Sequence, residues 1–522
     1  MHSKTKNEKI ILGLSNAHHD GSACIVKGGK ILAAIECERL TKIKKSKLDD
    51  SNLNETIDYV LESVGMVVND IDHIAVGSYP EELPLTPENN IAIGTNLFNS
   101  NKPGFIVPHH LAHNAAAYYT SPFDSAVSLS VDASSGVPQG YHLNSSICLA
   151  EGNRIKSVET PSIPYGVLYH RVCEYLGIGN PLHKVGTLMG VAPYGKPIPD
   201  IESVILTFNG GTNETVYPTF VDGATGFDLE EGHEVTNLIE EDFSSAVNIA
   251  ATTQKLLEQR LLYLVGELPS NSENLCLSGG TFLNCHANSR ILKESRFKKI
   301  HHFPGCGDSG IGIGAALYAA HHILDQPRYE YKPHEICYLG KEYKQENEID
   351  YEYIAKRISE GAIVAWMNGR SEFGPRALGN RSLLADPRDQ HNRDRLNHII
   401  KRREWYRPFA PIVLEESYQE WFDFDVPSPF MLYTAPVKKP QEIPAITHVD
   451  GSSRFQTVTK EGNIHIYKLI KEFEKITSVP ILINTSLNGK GQPILETPED
   501  GREFFNNVPV DMAVIHGEIL ER

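Results

Sequence analysis

Ile10-Ile11-Leu12-Gly13-Leu14-Ser15-Asn16-Ala17-His18-His19-Asp20-Gly21-Ser22-Ala23-Cys24-Ile25-Val26-Lys27-Gly28-Gly29-Lys30-Ile31-Leu32-Ala33-Ala34-Ile35 reads as strand, polar loop, strand, tight turn, strand. Ile10–Leu14, Ala23–Val26 and Ile31–Ile35 are short apolar runs of buried-strand type. Lys27-Gly28-Gly29-Lys30 has the composition of a hairpin turn. Two hairpin strands around the polar loop Ser15–Ser22 are one way to hold a phosphate against backbone amides.

Related patterns lie further along the chain. Ala126–Val131 reads as a strand, followed by Asp132-Ala133-Ser134-Ser135-Gly136. Leu275-Cys276-Leu277 leads into Ser278-Gly279-Gly280-Thr281, and Gly305-Cys306-Gly307-Asp308-Ser309-Gly310 precedes a small-residue helix, Ile311 to Leu324. Each joins a strand end or loop to Gly with Asp or Ser, the composition of a phosphate- or metal-facing turn. In this order they resemble the two-lobed nucleotide fold of actin and hexokinase, which carries an internal duplication. Around Tyr338–Asp350 the composition turns polar and acidic. A new unit then begins with helix Tyr351–Glu360 and strand Ala362–Trp366. The expectation is an α/β chain of two domains, 1–345 and 346–522.

Composition narrows the function classes. The 522 residues are 40 % hydrophobic and 22 % charged, as in ordinary globular chains. No apolar run reaches the length of a membrane span. Met1–Glu8 is polar and lacks the apolar region of a secretory signal, so a cytoplasmic protein is expected. The eight cysteines form no Cys-x-x-Cys pair and read as buried free thiols. A net charge of −17 repels nucleic acid and anionic membranes, so neither is an expected partner. Gly369–Arg407 departs from that balance, with ten Lys/Arg against five Asp/Glu. This suggests a confined anion site, although Arg393–Arg403 alone reads equally well as a solvated charged helix.

Two constellations carry chemistry. In Pro108-His109-His110-Leu111-Ala112-His113-Asn114-Ala115-Ala116-Ala117, helical spacing sets His109 and His113 on one face, where two imidazoles can share a metal. His110 faces elsewhere. With Asp132 and Asp308 the pair would suit Fe(II), Zn(II) or Mn(II), leaving positions open for substrate. The second constellation runs from Glu372-Phe373-Gly374-Pro375-Arg376 through Arg381, Lys401, Arg403 and Arg407 to His448-Val449-Asp450-Gly451, Arg454 and Ser486-Leu487-Asn488. Glycines permit close backbone approach and arginines recognise phosphate or carboxylate bidentately.

At these residues the chain resembles the O-carbamoyltransferases of nodulation-factor and antibiotic biosynthesis. The matching motifs include His18-His19-Asp20-Gly21-Ser22, Glu36-Cys37-Glu38-Arg39, His109–His113, Met189–Gly195, Gly279–Cys285, Gly307–Gly312, Gly374–Ser382 and His448–Gly451. The resemblance implies an N-terminal actin-like transfer domain and a C-terminal α/β domain that makes carbamoyl-adenylate from ATP and carbamoyl phosphate. It implies a divalent metal, Fe(II) or another, on His109, His113, Asp132 and Asp308, with Mg²⁺ assisting ATP. Arg376, Lys401, Arg407, Arg454, Ser486 and Asn488 become the binding set for carbamoyl phosphate and ATP. Gly279, Gly280 and Asn284 would line the adenylate site of the first domain. His18 and Asp20 would face the hydroxyl of a small-molecule acceptor, with His18 a suitable base.

The chain departs from the family at Ala133 after Asp132, at Thr187 in place of a usual lysine (Lys184 lies nearby), and at Cys37 in an otherwise acidic run. An actin-like kinase, a nucleotide-binding protein and a tRNA-threonylcarbamoylating enzyme are the alternatives. The first leaves the arginine-rich second unit without a role. The acidic balance opposes the third.

Overall fold

The computed structural model describes residues 8–78, 92–94, 102–132, 145–159, 165–198, 237–345 and 347–522. Ala133, Ser134, Ser135 and Gly136, like the polar start at residues 1–7, lie outside the described residues.

The opening stretch folds as three strands, β1 (Ile10–Asn16), β2 (Ser22–Lys27) and β3 (Lys30–Glu36). Gly28 and Gly29 both take positive φ, 57° and 87°, which the tight turn between β2 and β3 requires. With β4 (His73–Ser78), β5 (Ala92–Gly94) and β6 (Gly104–Pro108) they form a sheet of order β3-β2-β1-β4-β6-β5. A second sheet holds β7 (Ser125–Val131), β8 (Ser145–Glu151), β9 (Arg154–Glu159), β10 (Asn274–Ser278) and β11 (Lys299–His302), in the order β9-β8-β7-β10-β11.

The two orders match strand for strand except for β5, an extra antiparallel edge on the first sheet. In each sheet the first three strands form an antiparallel meander, a later strand pairs in parallel with the first, and another pairs in parallel with that one. This repeated unit is the duplication expected of the actin- and hexokinase-like fold.

Between the sheets run two helices, His109–Thr120 and Ile311–Tyr318. Every residue of both is buried, as expected of a helix enclosed on all sides. Small residues make the enclosure possible. A Cβ on Gly314 would meet Ala112 O at 1.8 Å, and one on Gly13 would meet Gly312 O at 2.4 Å. The second helix is shorter than its sequence suggests. At Ala319–Ile323 the backbone widens into a π turn, and Leu324 caps it. His321 is buried there, its Nδ1 3.0 Å from Gln326 O.

The third sheet takes β12 (Val364–Met367), β13 (Arg381–Ala385), β14 (Ala410–Leu414), β15 (Tyr433–Pro436), β16 (Ser452–Val458), β17 (Ile481–Ser486), β18 (Met512–Ile515) and β19 (Glu518–Glu521). Its order is β15-β16-β14-β17-β13-β12-β18-β19, with parallel and antiparallel pairs mixed. Helix Tyr351–Ser359 precedes it. Arg393–Arg403 is not one solvated helix. Helix Gln390–Arg395 gives way to a π turn, Leu396–Ile400, with Leu396, Asn397, Ile400 and then Lys401 buried. All eight cysteines are buried and free. No described helix is long and apolar enough to cross a membrane.

The strand end at His301 and His302 has a consequence in acid. Burial pushes both imidazoles down to about 3. His302 stacks edge-on against Tyr433, and neither of its ring nitrogens has a partner among the described residues. Both rings are therefore neutral in the fold but charge in the unfolded chain below its ordinary value of 6.5. Their contribution is fully present above that value and is lost as pH falls towards the folded values. His302→Leu will flatten the acid limb by about 2 kcal/mol at about pH 5. Melting temperatures followed from neutral pH downward check this, and an unchanged slope would count against it.

Candidate functional site

The first centre forms where the two sheets meet. Helix His109–Thr120 starts directly after β6, and its period brings His109 and His113 together, Nε2 to Nε2 at 3.1 Å. Asp132 follows the end of β7. Asp308 opens a turn, Asp308–Gly310, tied to the first sheet by Ser15 Oγ donating to Asp308 O at 2.9 Å and Ser22 Oγ donating to Ser309 O at 2.6 Å.

His113 Nε2 lies 3.2 Å from Asp132 Oδ2 and 3.5 Å from Asp308 Oδ1. His109 Nε2 lies 3.5 and 3.6 Å from the same two oxygens. The four donor atoms fall within 4.8 Å of one another. Metal–ligand bonds of about 2.1 Å set neighbouring donors about 3.0–3.4 Å apart. The residues therefore fit a divalent cation in spacing and in chemistry.

Electrostatics agree. Burial alone would lower His113, but Asp132 and Asp308 outweigh it and raise the imidazole to about 9. Burial alone would raise Asp132, but the two histidines hold it well below the usual carboxylate range. Each charge depends on its opposite.

Beside this centre lies the Ser15–Ser22 loop. His19 reaches that centre: His19 Nδ1 is 2.9 Å from Asp20 Oδ2 and 3.8 Å from Asp308 Oδ2. His18 is exposed. Asp20 takes φ 56° and Lys45 takes φ 63°, and Lys45 Nζ meets Asp20 Oδ2 at 2.5 Å. Two non-glycine residues in the left-handed region facing each other is the kind of strain that surrounding contacts must hold in place. Neither His19 nor Lys45 stands out in the sequence. The doublet His18-His19 gave no basis for choosing, and Lys45 is distant in sequence.

Gly279 takes φ 92°, donates its N–H to Cys306 O at 2.8 Å, and has no room for a side chain: a Cβ would meet Val131 O at 2.2 Å. A Cβ on Gly280 would lie 3.0 Å from Asp132 Oδ1, so the Gly279-Gly280 turn borders the His-Asp cluster. Asn284 is otherwise engaged. Its amide caps helix Cys285–Glu294 through Ala287 N–H at 3.1 Å and exchanges two hydrogen bonds with Gln254.

The second centre is cationic. Lys401 Nζ donates to Ser486 O, to Asn488 Oδ1 at 2.5 Å and to Asn488 O at 3.1 Å. Lys401, Ser486 and Asn488, expected on one site, are thus together. Burial pushes Lys401 well below the ordinary lysine value, and Arg403 and Arg407 push the same way. Arg376 falls to about 9 through burial and the neighbouring Arg454. Burial and the neighbouring Arg407 also lower Arg403 and Arg454. Glu404 faces this group 3.7 Å from Arg407, but Lys184 holds it at 2.5 Å. Like charges gathered out of water with this little compensation could hold an anion. Arg403 joins the residues expected here. Thr187 is buried, and its hydroxyl has no partner among the described residues.

The two centres adjoin. Arg376 Nη2 lies 3.5 Å from Leu283 O, and a Cβ on Gly374 would meet Pro304 O at 2.8 Å. His448 Nε2 donates to Gly190 O at 2.8 Å while its Nδ1 accepts from Val449 N–H. Ser289 and Asn288 donate to Thr434 O and Leu432 O.

Residues 10–88 and 86–317 match the family description "Carbamoyltransferase N-terminus", and residues 355–522 match "Carbamoyltransferase C-terminus". The chain is 33 % identical to an uncharacterised protein of Synechocystis sp., over 98 % of this chain and 96 % of that one. It is 33 % identical to the nodulation protein NolNO of Sinorhizobium fredii, over 97 % of this chain and 79 % of that one. It is 28 % identical to the 3'-hydroxymethylcephem-O-carbamoyltransferase of Streptomyces clavuligerus, over 92 % of this chain and 93 % of that one.

Proposed function

The chain belongs to the carbamoyltransferase family and is a carbamoyl-transferring enzyme, and from that premise we propose that it divides the reaction between two domains, 1–345 and 346–522. The second makes carbamoyl-adenylate. Carbamoyl phosphate and water give carbamate and inorganic phosphate. A carbamate oxygen then attacks the α-phosphorus of ATP, and the bond to pyrophosphate breaks. The first domain transfers the carbamoyl group to a hydroxyl of a small-molecule acceptor. The acceptor oxygen bonds to the carbamoyl carbon, the bond to AMP breaks, and the hydroxyl proton passes to a base.

The carrying observation is that a His-Asp cluster and an undercompensated cationic cluster adjoin through the Gly374–Arg376 loop. Carbamoyl phosphate and ATP together are strongly anionic. Arg376, Lys401, Arg407 and Arg454 would bind their phosphates, with Ser486 and Asn488 holding Lys401 in place. On His109, His113, Asp132 and Asp308 a divalent cation, Fe(II) or another, would supply Lewis acidity towards the carbamoyl carbonyl. Gly279 and Gly280, whose turn borders that cluster, would line the adenylate site. His19 and Asp20 stand beside the cluster, and in this reading His19 takes the acceptor proton. The cephem enzyme, by its name, carbamoylates a hydroxymethyl group, which supports a hydroxyl acceptor here.

The test is incubation with ATP, Mg²⁺, Fe(II) and carbamoyl phosphate without acceptor, following pyrophosphate and AMP. Pyrophosphate release that requires both carbamoyl phosphate and ATP is the expected result. ADP as product, or no release with any candidate acceptor, would overturn the adenylate route.

A further inference from the structure

The turn after β3 carries a guanidinium with no access to solvent. Arg39 is fully buried. Its Nε and Nη2 lie 3.0 and 2.8 Å from Glu36 Oε2, and Nη2 also donates to Gly374 O at 2.8 Å. Residues 335 positions apart in sequence are thereby joined. Cys37, between the two acids, points the other way, its sulfur 3.5 Å from Thr56 Oγ1, so the departure from an all-acidic run leaves the Arg39 contacts intact.

Gly374 is gripped from its other side as well. It takes φ 105°, and a Cβ would lie 2.8 Å from Pro304 O and 3.2 Å from Gly305 Cα. Two residues on, Arg376 has little to hold it. Its Nη2 contact to Leu283 O is 3.5 Å long, its Nε is buried without a partner among the described residues, and its charge sits beside Arg454. The position of that guanidinium is therefore set by its backbone, which is held at Gly374 on one side and on the other by Asn484 Nδ2 donating to Ala377 O at 3.1 Å and Leu378 N–H donating to Glu372 Oε1 at 2.7 Å.

The same turn reaches the other centre. Glu38 Oε2 accepts from Lys45 N–H at 2.8 Å, and Lys45 holds Asp20.

We propose that Arg39, on the first domain, is a positioning residue for carbamoyl phosphate binding in the second, acting through Gly374 O on the placement of Arg376. This rests on the reading of Arg376 given above. An arginine is needed because its planar fork serves Glu36 and Gly374 O together, whereas an ammonium is a single point of charge.

The test compares Arg39→Lys, Glu36→Gln and the double variant Glu36→Gln/Arg39→Met by pyrophosphate release and by calorimetric binding of carbamoyl phosphate alone. Arg39→Lys keeps the charge beside Glu36. It should raise KM for carbamoyl phosphate roughly tenfold with kcat within about threefold of the parent. Glu36→Gln keeps the bond to Gly374 O and should stay near the parent, while the double variant should exceed Arg39→Lys. A purely structural role would instead lower kcat or the active fraction and leave KM alone. If the double variant fails to fold, Arg39→Lys decides. A folded Arg39→Lys with unchanged KM and unchanged binding overturns the proposal, as does a Glu36→Gln that rises equally. The parent enzyme and Arg376→Ala run beside these. If the parent shows no release, the adenylate route itself fails. If the parent shows release and Arg376→Ala loses it, a null result for Arg39 counts against this inference alone.

Discussion

Arg376→Ala will lose carbamoyl-phosphate-dependent pyrophosphate release on the order of a thousandfold while the chain stays folded. In the structure this guanidinium makes one long contact, to Leu283 O at 3.5 Å. Burial and Arg454 push it to about 9, so its charge is paid for elsewhere in the fold. Truncation therefore removes repulsion as well as a weak contact, and the melting temperature should hold or rise. Loss of activity would then report on substrate rather than on folding. Pyrophosphate assay and thermal melting on the same preparation measure both. Release that survives the substitution would remove Arg376 from the anion site.

Asp308→Asn should do the opposite: leave pyrophosphate release in place, weaken divalent-metal retention on the order of a hundredfold, and cut carbamoyl transfer about a thousandfold. The asparagine preserves shape, and the backbone of the turn stays tied through Ser15 Oγ to Asp308 O. What changes is charge. Asp308 is one of the two carboxylates that keep His113 protonated against its burial when no cation is bound, and it is one of the four donors that would share a cation. Metal analysis after dialysis, with pyrophosphate and carbamoylated product measured separately, checks this. Equal loss of pyrophosphate release would join the two centres into one and refute the division of labour.

Much of this was legible in the chain where the signal is local. The runs Ile10–Leu14, Ala23–Val26 and Ile31–Ile35, with Gly28-Gly29 between the last two, became β1, β2 and β3 with ends shifted by one or two residues. The spacing of His109 and His113 reports directly on a helical face. What could not be read depends on partners far away in sequence. An Ala-rich helix gives no sign that every face is covered until Gly314 is known to lie against it. The duplication rests on which strands pair, and apolar runs are silent about pairing. The place of His19 depends on Asp308, distant in sequence, and on Asp20, whose left-handed conformation is braced by Lys45. Asn284 has a motif position and a composition that suit ligand binding, yet its amide is committed to a helix cap and Gln254. Arg39 lies in a motif rich in charge, and nothing in that motif names Gly374 as its partner.

The cationic cluster has a consequence for the abundance of the protein. Lys401, Arg403, Arg407 and Arg454 are held below their ordinary values by burial and, for most of them, by one another. An empty cluster therefore works against the folded state, and a bound anion relieves that opposition in proportion to its concentration over its dissociation constant. If the proposed reaction holds, carbamoyl phosphate and ATP would act in this sense as part of the scaffold. A cell starved of either would hold the enzyme in its least durable form, so that supply of the substrates sets how long the catalyst lasts as well as how fast it turns over.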